Sequence, residues 1–149
     1  MDNVFCVAKE ICKNGNWAIT NLELQKILYI AQMFSYGKRG KPLFDNSIEA
    51  WDYGPVVPEV YHKLKFVGNG AIPSFMFPSE TCVSEENKVF ISHVSEMVNG
   101  LKGWELVAIT HRIGGAWQST YRPGVKHLVI SPSAIQNEYS ELWSKNDRK

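Results

Sequence analysis

Thr20-Asn-Leu-Glu-Leu-Gln-Lys-Ile-Leu-Tyr-Ile-Ala-Gln-Met-Phe34 reads as one helix, and that helix sets the class of the fold. Thr20 and Glu23 are spaced as a capping box, in which each side chain accepts from the other residue's backbone N–H. Leu24, Ile27, Leu28, Ala31 and Phe34 then recur at helical spacing on one face. Nearly every interior residue is a good helix former, and Gly37 is placed to stop the helix. Such a stripe buries against a core whatever the function. Toward the N-terminus the pattern repeats over residues 2–14 with Val4, Val7, Ala8, Ile11 and Cys12. Asp2 or Asn3 can cap that helix, and Gly15 is placed to end it in the left-handed region.

Downstream lies the most constrained segment, Asp45-Asn-Ser-Ile-Glu-Ala-Trp-Asp-Tyr-Gly-Pro-Val-Val-Pro-Glu-Val-Tyr-His-Lys63. Pro55 and Pro58 fix φ and lack an N–H, and Gly54 admits φ values that other residues avoid. This predicts a rigid corner between an extended piece and a helix, with the rings of Trp51, Tyr53 and Tyr61 held on it. No nucleophile–base pair, phosphate loop or metal spacing accompanies it, so it reads as a binding surface before it reads as a reaction centre. Trp51 and Tyr53 are either core anchors beneath the corner or partner contacts. Their large area and single polar handle suit both.

The remaining elements follow from the same punctuation. Leu43-Phe44 and residues 48–53 are extended in character, with Ile48, Ala50 and Asp52 facing one way and Glu49, Trp51 and Tyr53 the other. A helix over about residues 58–66 takes Pro58 in its first turn and ends at Gly68 and Gly70. Residues 69–83 form a surface loop in which Phe75-Met76-Phe77 is either tucked under or exposed for a partner. Ser84 starts a helix to about residue 101, with Phe90, Val94, Met97, Val98 and Leu101 on one face. Short helices at 104–109 and 116–121 flank the Gly114-Gly115 turn, and residues 127–130 are placed as a lone strand beside 48–53. Ser131-Pro132 opens a last helix carrying Ile135, Tyr139, Leu142 and Trp143, and the chain is polar from residue 144. The sum is mainly α: a compact single domain over residues 1–149, with five or six helices and a small two- or three-stranded β element.

Composition narrows the function. A chain of 149 residues suits one domain and can bury a core without staples. Apolar residues at 44% and charged residues at 21% are globular values. Sixteen basic and fifteen acidic residues leave a net charge of +1. That lacks the basic excess of a dedicated nucleic-acid binder and gives no steering toward anionic membranes. No stretch approaches the ~18 apolar residues of a membrane span, and the N-terminus lacks a signal-peptide pattern. Cys6, Cys12 and Cys82 are odd in number and show no pairing spacing, which predicts reduced thiols in a cytoplasmic protein. His62, His93, His111 and His127 lack zinc-site spacing, so neither metal nor cofactor is expected. Catalysis would need His111 as a general base with a distant carboxylate such as Asp52. Almost any chain of this size offers such a set, so an enzyme is the weaker reading. Lys38, Arg39 and Lys41 read as a solvated basic turn before a nucleic-acid patch.

Three blocks together resemble the Panacea antitoxin domain, which includes SocA-like antitoxins and phage-associated proteins. They are Leu22-Glu-Leu-Gln-Lys-Ile-Leu-Tyr-Ile-Ala-Gln32, Pro42-Leu-Phe44, and Ile48-Glu-Ala-Trp-Asp-Tyr-Gly-Pro-Val-Val-Pro-Glu-Val-Tyr61. The likeness covers about residues 5–143 and continues at 106–117, where the family tends toward Thr-His followed by Pro-Trp. Thr110-His111 and Trp117 are present, while Ala116 stands where proline is expected. The resemblance implies a helical domain that neutralises a cognate protein toxin by binding it, within a bacterial or phage gene pair. One family branch delivers its toxin to a protease, so the resemblance also allows a protease as a partner. The loop from Pro73 to Pro78 is then the candidate second surface. Many members carry a DNA-binding segment ahead of the domain. Too few residues precede the first matching block for one here, so direct DNA binding is not expected. With the corner, the candidate toxin-contact surface comprises Trp51, Tyr53, Gly54, Pro55, Val56, Tyr61, Thr110, His111 and Trp117.

Overall fold

The Thr20–Glu23 capping box closes as its spacing demands. In the computed structural model, which describes residues 2–79 and 83–144, the Glu23 N–H donates to Thr20 Oγ1 (3.2 Å) and the Thr20 N–H donates to Glu23 Oε1 (3.0 Å). The box starts α2 (Asn21–Phe34). The expected stripe of Leu24, Ile27, Leu28, Ala31 and Phe34 is buried, and so are Gln25, Lys26, Tyr29 and Gln32 on the other sides. The helix is therefore a central post, not an amphipathic wall. Among the described residues six further α-helices surround it: α1 (Val4–Asn14), α3 (Pro58–Leu64), α4 (Glu85–Val98), α5 (Gly103–Thr110), α6 (Ala116–Thr120) and α7 (Pro132–Tyr139). The fold is mainly helical, as the pattern predicted. Its small sheet is an antiparallel hairpin of β1 (Glu49–Trp51) and β2 (Gly54–Val56), with Glu49 opposite Val56 and Trp51 opposite Gly54.

The caps largely follow local chemistry. Asn3 accepts from the Phe5 N–H at 2.8 Å to start α1, Ser84 accepts from the Asn87 N–H at 3.2 Å to start α4, and Ser131 precedes Pro132 at the start of α7. Two glycines act differently from expectation. Gly15 has φ −90, and the left-handed turn after α1 falls instead on Asn16 and Trp17, both at φ 57. Gly37 does not stop α2. The chain runs on as a π-helical turn, Ser35–Arg39, and ends at Gly40 with φ 68. Gly37 serves packing: a Cβ there would lie 2.0 Å from the Tyr139 ring, so its absence lets the end of α7 cross this turn.

Elsewhere the core chooses between neighbouring positions. Ile91, Val94 and Val98 bury one face of α4, and Met97 is turned roughly 100° away from Val98 and exposed. The loop aromatics divide. Phe77 is buried with its ring 6.4 Å from that of Trp17, while Phe75 is 81% exposed. Residues 127–130 form no named strand but bridge to the hairpin through Glu49 and Val129. The Ala50 N–H donates to the Leu128 carbonyl and the Ile130 N–H to the Ile48 carbonyl, both at 2.8 Å. Cys12 is a free buried thiol whose pKa burial pushes up to about 12. Cys6 is disulfide-bonded, which corrects the expectation of reduced thiols. Cys82 and the polar residues 145–149 lie outside the described residues. No described helix is long and apolar enough to cross a membrane.

Candidate functional site

The inward polar side chains of α2 are tethers. The Gln32 amide donates to the Phe44 carbonyl (2.8 Å), and its oxygen accepts from the N–H groups of Leu43 (2.7 Å) and Phe44 (3.3 Å). Gln25 accepts from the Val57 N–H at 2.8 Å. Lys26 donates to the Tyr53 carbonyl, and the Tyr29 hydroxyl donates to Glu138. Asn21 adds a longer bond to the Tyr61 carbonyl (3.4 Å), so one helix holds the chain at five separate places, three of them at the corner foreseen in the sequence.

That corner is the hairpin tip, Asp52-Tyr53, closed by Gly54. Gly54 has φ +115, a conformation that side-chain-bearing residues rarely adopt. A Cβ there would lie 2.3 Å from Lys26 Nζ and 2.6 Å from His111 Nε2. Glycine is therefore what lets these two nitrogens approach the underside of the tip. Lys26 is fully buried, and among the described residues no carboxylate pairs with it. Burial alone lowers its pKa to about 8, because a desolvated ammonium is unfavourable. His111 Nε2 is shielded from solvent and has no hydrogen-bond partner of good geometry. Burial lowers the His111 pKa, the nearby Tyr53 carbonyl opposes that shift, and the Lys26 charge adds to it.

Three rings lock the second segment onto the hairpin. His111 caps the end of α5 and stacks on Trp117, with centroids 4.1 Å apart and planes 6° apart. Trp117 stacks in turn on Tyr121 at 4.7 Å. The indole N–H of Trp117 donates to the Trp51 carbonyl at 2.7 Å, and the Tyr121 hydroxyl donates to Asp52. On the far side of the hairpin the Trp51 ring meets Tyr61 edge-on at 5.0 Å, and its indole N–H donates to Glu49 at 2.9 Å. The loop between α5 and α6 is braced from α7. Buried Glu138 takes the Arg112 guanidinium at 2.9 Å, the Ala116 N–H at 3.3 Å and the Tyr29 hydroxyl. Burial first, and Glu138 second, raise the pKa of Tyr29, which keeps that hydroxyl a donor.

The structure brings the two predicted segments together. Tyr53 is 76% exposed at the tip, and Trp51, Tyr61, His111 and Trp117 are half-buried around it. Gly54, Pro55 and Val56 are buried beneath the tip. Thr110 is buried as well, and its hydroxyl donates to carbonyls of its own helix, Leu106 and Val107. Asp52 is held by Tyr121, so the His111 and Asp52 of a general-base reading are engaged by different rings. Among the described residues no group of three or more His, Cys, Asp or Glu is placed to hold a metal ion. Lys26, Arg112, Tyr121 and Glu138 complete the site and were not singled out from sequence. Lys26 left one trace, a cation set directly before an apolar run inside a helix that carries a core stripe.

A family model described as "Antitoxin SocA-like, Panacea domain" matches residues 24–118, which include α2 from Leu24 onward, the hairpin and the His111–Trp117 stack. Antitoxin SocA of Caulobacter vibrioides (strain NA1000 / CB15N) is 31% identical over 109 residues, covering 66% of this chain and 58% of its own length. The match thus spans less than two thirds of that relative. No solved structure matches the chain.

Proposed function

Because the chain belongs to the SocA-like antitoxin family of Panacea domains, we propose that it is an antitoxin that neutralises a protein toxin by binding it directly at the hairpin corner. The observation that carries this reading is Tyr53, a large ring 76% exposed on a backbone held from several sides. Lys26 holds its carbonyl from below, Trp117 holds Trp51, and Tyr121 holds Asp52. A ring on so fixed a tip binds with little further ordering. Interface energy concentrates in a few such Trp, Tyr and Arg anchors. Neutralisation needs only occupation of the toxin's working surface, and the polar groups at the corner are arranged for holding shape. Phe75, 81% exposed on its own loop, favours a second reading in which the protein also presents its toxin to a protease.

The test uses the reading frame next to this gene. Its product should be lethal when expressed alone, harmless when this chain is co-expressed, and recovered with it as a stable complex. A harmless neighbour, or protection without a complex, would defeat the proposal.

A further inference from the structure

A second surface lies at the other end of α2, about 12 Å along the helix from Lys26. Phe34 and Val94 form its floor, Val89 and Met97 its wall on α4, and Lys38 and Arg39 its rim. The groove encloses about 280 Å³. That is just under the roughly 300–1,000 Å³ of small-molecule sites, and it suits a side chain or two from a docking segment. Val89 and Met97 are 59% and 48% exposed on the solvent side of a helix whose other face already fills the core. A surface helix normally makes that side polar.

The rim is short of negative charge. Glu86 pairs with both Lys41 (3.1 Å) and Arg39 (3.5 Å). Asp2 also faces Arg39, but its carboxylate is engaged by Ser84 and by the Asn87 amide. The Arg39 guanidinium lies over the Phe90 ring at 4.1 Å. Lys38 is exposed above the Phe34 ring at 5.7 Å, and no carboxylate pairs with it among the described residues. The basic turn noted in the sequence thus overlooks an apolar floor with one cation left unneutralised.

We propose that this groove docks a segment of another protein that presents a bulky apolar side chain beside a carboxylate. The apolar group fills the space over Phe34 and Val94, and the carboxylate pairs with Lys38. This surface shares none of its lining residues with the hairpin corner.

Short fluorescent peptides with a Phe-Leu centre, flanked either by Asp and Glu or by Lys, test the proposal by anisotropy titration against the intact chain. The acidic peptide should saturate and bind about tenfold tighter than the basic one, the difference of roughly one charge contact. Lys38→Glu should reverse that preference, and Met97→Asp should abolish binding with an unchanged melting temperature. Equal binding of the two peptides, binding that survives Met97→Asp, or no saturation by the acidic peptide would each overturn it.

Discussion

Gln32 and Lys26 do the same job on one helix, and they do it at opposite cost. Each reaches out of α2 to hold the backbone of a segment that follows. Gln32 is neutral and makes three hydrogen bonds to Leu43 and Phe44. Lys26 buries a charge and makes one bond, to the Tyr53 carbonyl. A buried amide with its partners in place stabilises a fold. A buried ammonium without a carboxylate costs free energy, and its pKa of about 8 is the trace of that cost. The Leu43–Phe44 segment is therefore built for stability. The hairpin tip is held by a buried charge, so an apolar residue in its place is expected to raise stability, and a buried, perturbed cation is where function is to be sought.

The contrast is easiest to break at Gln32. Gln32→Leu strands two backbone donors and one acceptor in the interior, and should cost about 3–5 kcal/mol in urea unfolding. A loss under about 1 kcal/mol would show that the segment does not need its tether, and the difference between the two residues would vanish. Lys26→Met should act with the opposite sign. It removes the buried charge at nearly constant volume and should add about 1–3 kcal/mol at neutral pH. The same variant should protect cells less well from the toxin, because the tip loses its hold from below. A destabilised Lys26→Met protein would mean that Lys26 is structural after all.

The same contrast has a pH signature. Lys26 has its folded pKa lowered to about 8 from 10.5. Below about pH 8 both folded and unfolded chains carry the proton, and the penalty is fully present. Above it the folded state releases a proton that the unfolded state keeps, so stability rises with pH. Tyr29 opposes this from about pH 10, because its folded pKa is raised and the unfolded state then ionises first. The rise should therefore be read between pH 8 and 10, where it reaches about 2 kcal/mol. Unfolding of Lys26→Met followed over the same range should lack it. Equal slopes in the two proteins would assign the rise to another group.

Much of the scaffold was legible in the chain, and the reason is locality. Thr20 with Glu23, Ser84, and Ser131 with Pro132 act on backbone groups within a few residues, so spacing alone places them. The corner was legible because Gly54, Pro55 and Pro58 constrain their own dihedrals. The site's undercarriage was not legible. Lys26 meets Tyr53 and Glu138 meets Tyr29 across 27 and 109 residues of sequence. No spacing rule reaches that far, and Lys26 and Glu138 look like surface residues on helices. Gly37 misled for a related reason: its use is to admit the Tyr139 ring, a contact made by the other end of the chain. Helical spacing admits Met97 to the core face beside Val98, and only packing distinguishes the two.

The smallest effect on stability should come from the residue with the largest proposed effect on binding. Tyr53 holds Lys26 through its backbone carbonyl, which any residue supplies, while its ring is 76% exposed. Tyr53→Ala should therefore move the unfolding free energy by no more than about 0.5 kcal/mol. If the ring is an anchor in the toxin, its loss should weaken the complex by about 2 kcal/mol, near thirtyfold in Kd. Tyr61→Ala supplies the comparison, because its half-buried ring packs edge-on against Trp51 and should cost stability as well as affinity. Binding of purified toxin to the two variants, measured beside their melting temperatures, separates anchor from support. An affinity for Tyr53→Ala within twofold of the parent would reduce the tip to scaffold. The contact surface would then have to be sought on the half-buried rings of His111 and Trp117, where the same pair of measurements applies.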